Sequence, residues 1–271
     1  MNHKRLTPAF SMLELVFVIT ILGIVSSIGA EMIAKVYEGY IVQRAEHRAT
    51  MKTELAATQI ANRLISAIPG TVYRKNSTGT VVEEITDDMS LTGNAYTVLQ
   101  WVASDMDSYN ATAIPGWSGF LDVDDPANTA NSLSTPGSAL GTTTAIINNL
   151  STSAPAPKIY FPYDSNEYNA TIAGTTITLS GTGAPHIVEH YKLAWSSYAL
   201  MVDPADGHLY LYYDFPAIPA VALGAKRSLL LRNVSTFKFK GDGQTIRFKI
   251  CKEERISEDI NITACKEKAV F

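Results

Sequence analysis

Between Phe10 and Ala30 the chain reads FSMLELVFVITILGIVSSIGA, about 20 residues with a single charge, Glu14. At about 1.5 Å per residue this run makes a helix of roughly 31 Å, enough to cross the hydrocarbon core of a bilayer. No other feature limits the fold as strongly, because so long an apolar surface must be covered by lipid or by other protein. Lys4 and Arg5 precede the run, and the next Lys or Arg is Lys35. The positive-inside rule therefore places residues 1–9 in the cytoplasm and the rest outside. That is the topology of a single-pass protein of a bacterial inner membrane, with its body in the periplasm.

Glu14 is the anomaly. A carboxylate at the centre of a spanning helix costs about 2.5 to 3.5 kcal/mol on insertion scales. A plain signal anchor gives no reason to keep it. A cleaved secretory signal peptide would need small residues three and one before its cut; Ser27 and Gly29 serve poorly, and there is no Ala-x-Ala.

The segment AFSMLELVFVITILGI resembles the N-terminus of the type IV pilin and pseudopilin family. The resemblance implies that prepilin peptidase cuts between Ala9 and Phe10 and that the new amino terminus, Phe10, is N-methylated. Glu14 then becomes the fifth residue of the mature chain, where the family has its glutamate, and Gly23 falls where members often have glycine. In a low-dielectric filament core a carboxylate needs a positive partner; the family implies that this partner is the Phe10 amine of a neighbouring subunit. Two departures are informative. Ala9 stands where the family usually has glycine, and Glu31 stands where major pilins place a helix-kinking proline, which favours a minor subunit. The motif covers about 20 of 271 residues. Implied partners are other pilin or pseudopilin subunits, prepilin peptidase, the inner membrane and its assembly platform.

No proline interrupts residues 10–68, and Pro69-Gly70 is a strong stop, so a continuous helix of roughly 88 Å is expected. QRAEHR at 43–48 is polar all round, as in a helix emerging into solvent. Met51, Leu55, Ala57, Ile60, Ala61, Leu64 and Ile68 then restore an apolar stripe suited to packing on a sheet. A coiled-coil stalk would need apolar heptads through 43–50, and they are missing.

After residue 68 the pattern is that of strands, expected over 96–103, 158–163, 171–179, 187–202, 208–215, 228–240 and 244–251. FKFKGDGQTIRFKI and SYALMVDPADGHLYLYY read as hairpins, with IPAVALGAK a loop between them. The fold class expected is α+β: a long N-terminal helix packed on a C-terminal antiparallel sheet. The organisation expected is a leader at 1–9, a membrane half of the helix at 10–30, a periplasmic half at 31–68 and a body at 69–271. Residues 126–157, rich in Ala, Ser, Thr, Asn and Pro, read as a long, partly disordered surface loop.

Little in the chain points to catalysis. A net charge of −4, without a Lys/Arg cluster interleaved with aromatics, gives no sign of a nucleic-acid surface. HIVEH at 186–190 matches H-x-x-E-H, and a membrane-anchored zinc hydrolase using His186, Glu189 and His190 is the alternative function. That chemistry needs a helix, and Pro185 and the alternation of HYKLAWSSYALMV favour a strand. Asp105 and Asp107, with Asp122, Asp124 and Asp125, are weak candidates for calcium, lacking full EF-hand spacing; solvated turn acids are the ordinary reading, and no other cofactor is expected. Six Asn-x-Ser/Thr sites occur, those at Asn169 and Asn261 preceded by Glu167 and Asp259. The two cysteines, Cys251 and Cys265, are either a local disulfide of an oxidising compartment or two buried thiols. Many pilins close a C-terminal loop in this way, so the resemblance favours the bridge, which would clamp an otherwise frayed ERISEDINITA tail. ATQIANRLISAIPGTVYRK and LLLRNVSTFKFKGDGQTIRFKI further resemble the large J-type minor pseudopilins and their minor-pilin counterparts.

Overall fold

The computed structural model describes residues 11–91, 95–111, 113–153, 155–164, 166–181, 183–184, 187–258 and 260–271. The first element is a single unbroken helix, α1 (Met12–Leu64), 53 residues long and roughly 80 Å at 1.5 Å per residue. Ser11 caps it, its side chain accepting from the Leu13 N–H at 3.2 Å. No proline interrupts it, and Glu31 pairs with Lys35 one turn on at 2.7 Å. The helix stops short of the expected residue 68 because the sheet claims the chain first. Ala67 bridges to Ala103, and the Ile68 N–H donates to the Val102 carbonyl at 2.9 Å. Gly70, at φ +77°, then turns the chain where a side chain would be strained.

Next come β1 (Tyr73–Asn76), β2 (Val82–Glu84) and β3 (Tyr96–Val102). They are followed by α2 (Met106–Tyr109), β4 (Ser132–Ser134), α3 (Leu140–Leu150), β5 (Lys158–Tyr160), β6 (Glu167–Ala173), β7 (Thr176–Leu179) and β8 (Lys192–Ala194). The chain ends with β9 (Ser197–Asp203), β10 (His208–Phe215), β11 (Arg227–Leu231), β12 (Val234–Asp242), β13 (Thr245–Arg255) and β14 (Asn261–Val270). The strands form three antiparallel sheets, in the orders β11-β10-β9-β3-β1-β2, β12-β13-β14 and β4-β7-β6-β5-β8.

The fold class is α+β, a long apolar N-terminal helix packed on antiparallel sheet, and the architecture is pilin-like. The body itself is more elaborate than the sequence pattern suggests. β3 pairs directly with β9, Leu99 opposite Leu200, although nearly a hundred residues separate them. Everything between builds a second unit on the five-stranded sheet, with its own core of Trp117, Leu121, Leu133, Leu140, Ile159 and Ile177 among others. The main core joins Ala56, Ala57, Ile60 and Leu64 of α1 to both other sheets.

Three expectations are corrected. Residues 126–157 are no structureless loop: they contain β4 and α3, because Leu133, Leu140 and Ile147 are buried and hold the segment against the second core. The strands expected over 187–202 and 228–240 are each divided between two sheets. The first breaks at residues 195–196, and the second at Asn233, which turns the chain with φ +54°. Residues 261–270, for which the sequence pattern gave no strand, form β14, which lies along α1.

Candidate assembly surface and the predicted site residues

The two halves of α1 have opposite surroundings. The first buried residue on the helix is Ala49, followed by Thr53, Ala56, Ala57, Ile60 and Leu64 at steps of three and four, which is one face. The alanines of this face let β13 and β14 approach closely, while Ile60 and Leu64 fill the core. Beside this face Glu54 pairs with Lys266 at 2.7 Å and Lys268 at 3.0 Å, and Lys268 also donates to the Thr58 hydroxyl at 2.8 Å. The two ammonium groups hold the Glu54 carboxyl down at about 2.

Residues 12–48, about 55 Å of helix, bury no side chain in their own chain. Leu13, Phe17, Ile19, Leu22 and Val25 are each about two-thirds exposed. The segment is long and apolar enough to cross a membrane. The Thr20 hydroxyl is satisfied within the helix, donating to the Val16 carbonyl at 2.8 Å. Glu14 lies in the first turn, where the exposed amide groups of a helix N-terminus favour a negative charge. Among the described residues it forms no ion pair, so a cationic partner would come from outside this part of the chain. Ala9 and Phe10 lie outside the described residues.

Beyond Ala30 the exposed apolar residues Met32, Ile33, Val36, Tyr37, Tyr40 and Ile41 follow a helical period, so they form a stripe rather than a full cylinder. At 100° per residue this stripe points away from the face that later packs on the body.

Cys251 and Cys265 stand directly opposite one another on β13 and β14 and are joined by a disulfide, with Cα atoms 4.0 Å apart. The bridge therefore links two paired strands near α1 rather than closing an otherwise loose tail.

The acidic candidates are dispersed into local roles. Asp105 is buried and caps α2, accepting from the Ser108 N–H at 3.1 Å; burial pushes its carboxyl upward. Its other carboxylate oxygen makes no hydrogen bond of ordinary geometry, with the Ser108 hydroxyl and the Trp195 indole nearby to offset its charge. Asp107 is exposed in the first turn of that helix. Asp122 and Asp125 accept from the backbone two residues on, at Asp124 and Ala127, as turn residues do. Among the described residues, no three His, Cys, Asp or Glu side chains are grouped to hold a metal. His186 lies outside the described residues. Glu189 sits in a bend and His190 in an isolated bridge to Phe120, so they are not on the helix that the zinc motif requires.

Two polar assemblies gave no motif in the sequence. Arg74, almost fully buried, donates to Glu83 at 2.8 Å and lies over the Tyr96 ring at 5.0 Å. Ser90 and Tyr96 donate to Glu83 as well, and with Arg74 they hold its carboxyl at about 2. The second assembly fastens the inserted unit to the main sheet. Asp214 of β10, at φ +57°, pairs with Lys226 and accepts from the Ser151 hydroxyl and the Thr152 N–H, both at the end of α3. Only the positive φ at Asp214 marks the place, and that is a backbone fact.

Searches against protein-family models, curated proteins and solved structures returned no match for this chain.

Proposed function

We propose that this chain is a minor pilin-like structural subunit, a pseudopilin of a type II secretion pseudopilus or a subunit of a type IV pilus. Prepilin peptidase cuts it between Ala9 and Phe10, the Phe10 amine is methylated, and α1 carries the subunit from the inner membrane into a filament. One observation carries the reading: residues 12–48 of an unbroken helix bury nothing within their own chain, yet hold one carboxylate in their first turn. Apolar surface costs about 25 cal/mol per Å² in water, so this half of α1 requires lipid or neighbouring helices. Helices of other subunits supply that cover in a filament, and a neighbour's Phe10 amine neutralises Glu14 there. The partners are thus other subunits, the peptidase and the membrane assembly platform. The proline-free helix and the large body with its inserted unit support a minor rather than a major position.

The test joins mass spectrometry of the mature N-terminus to the variant Glu14→Gln. The mature chain is expected to begin with a methylated Phe10; a chain beginning near Ala30 would establish an ordinary signal peptide. Glu14→Gln is expected to insert normally and to be excluded from filaments. Normal incorporation would sink the pairing, and abundant filaments made of this chain alone would overturn the minor role.

A further inference from the structure

The six-stranded sheet ends on β11, which among the described residues pairs with β10 alone. Its outer edge therefore presents backbone N–H and C=O groups with no strand beside them. Next to it lies a groove of about 660 Å³ between the sheet and the α1 residues Gln59 and Asn62. Ser228 stands opposite Leu211 and shares its inward face, whereas Leu229 stands opposite Tyr210 and faces the other way. Both line the groove, so the groove opens onto the edge of the strand and not merely onto one face.

The two ends of this sheet are guarded differently. β2, the opposite edge, reads Val82-Glu83-Glu84; Glu83 is held by Arg74, and Glu84 remains as a charge that disfavours an added strand. In β11 the only charge is Arg227, already held by Asp203 at 2.7 Å; Ser228, Leu229, Leu230 and Leu231 carry none. Inside the groove, Tyr213 and Leu229 are each more than a third exposed, and the buried Trp101 indole N–H has no acceptor. An unpaired strand edge selects for backbone in register, which only an extended segment provides; a helix keeps its own amides occupied.

We propose that β11 receives an extended segment of a partner protein as a seventh strand, with alternate apolar side chains of that segment entering the groove. This docking site stands apart from the membrane half of α1 and does not depend on how the chain is anchored.

The probe is a capped eight-residue peptide, Lys-(Thr-Val)₃-Lys, added to the full chain in detergent while amide hydrogen exchange is followed. Exchange at residues 228–230 is expected to slow about tenfold, equivalent to about 1.4 kcal/mol. The same peptide N-methylated throughout is expected to have no effect. Leu229→Lys should abolish the slowing, with Ser228→Lys as a second edge variant, whereas Val82→Lys on β2 should leave it intact. Thermal melting checks that each variant folds. No slowing at saturating peptide, equal slowing by the methylated peptide, or equal slowing along β2 would overturn the proposal. So would protection of β11 that rises with protein concentration in the absence of peptide, which would make a second copy the occupant.

Discussion

Replacing Lys226 with methionine is expected to damage the protein more than replacing its partner Asp214 with asparagine. The reason is the unequal burial of the pair: the Asp214 side chain is 1% exposed and that of Lys226 is 37% exposed. In Asp214→Asn the ammonium turns into water, and an amide oxygen still accepts from Ser151. That loss amounts to about 1 to 2 kcal/mol, the difference between a charged and a neutral hydrogen-bonded site. In Lys226→Met the carboxylate stays buried with only the Ser151 and Ser153 hydroxyls and the Thr152 N–H to support it. Breaking a buried pair costs about 3 to 5 kcal/mol, and the half-exposed lysine places this case near 3. The pH dependence separates the two variants. Burial raises the Asp214 carboxyl, but Lys226, Ser151 and Thr152 outweigh it and leave its folded value below the unfolded one. Its contribution is therefore present above about pH 4 and lost as pH falls through the folded value. Without Lys226, burial dominates, the folded value moves up, and the deficit against the parent protein shrinks as pH drops toward 4. Urea denaturation of the full chain in detergent at pH 7 and pH 4.5 reads this directly, with hydrogen exchange at residues 150–153 reporting release of the inserted unit. Equal losses at pH 7, or a Lys226→Met deficit that grows at pH 4.5, would refute the reasoning.

The double variant Cys251→Ser/Cys265→Ser should lose about 3 kcal/mol, the chain-entropy value for a loop of about 15 residues, and about 6 to 12 °C in melting temperature; a shift under about 2 °C would show that strand pairing alone holds β14. Ile60→Ala, at a site 1% exposed where helix and sheets meet, should cost about 2 to 5 kcal/mol in the same denaturation assay. Leu55→Ala on the exposed side of the same helix, where Leu55 is 61% exposed, should be close to neutral for folding. The Glu54 carboxyl should titrate near 2 by NMR, and a value near 4 would mean that Lys266 and Lys268 do not hold it in solution.

The sequence by itself determined α1 and the two hairpins. A long run without proline permits little else, since the information is local; only its end, at Leu64 rather than residue 68, was set by the sheet. The same holds for FKFKGDGQTIRFKI, which became β12 and β13, and for the turn between β9 and β10. The packed face of α1 was legible only in part: Ala57, Ile60 and Leu64 are buried as expected, but Met51 and Leu55 are 58% and 61% exposed, and the small or polar Ala49, Thr53 and Ala56 pack there instead. What only the tertiary structure decided is where strands of similar pattern go. Residues 187–202 alternate continuously in sequence, yet they are divided between two sheets, since hydrophobic alternation records that a face is buried and not against what. The pairing of β3 with β9 across the inserted unit follows the same logic, for a long loop adds little closure cost per extra residue and leaves no local trace. α3 was hidden because Thr and Asn give a weak helical signal, and its helix is held instead by Leu140, Thr143 and Ile147 against the second core. The free edge of β11 belongs to this class as well: an edge is defined by the strand that is not there, and no residue encodes an absence.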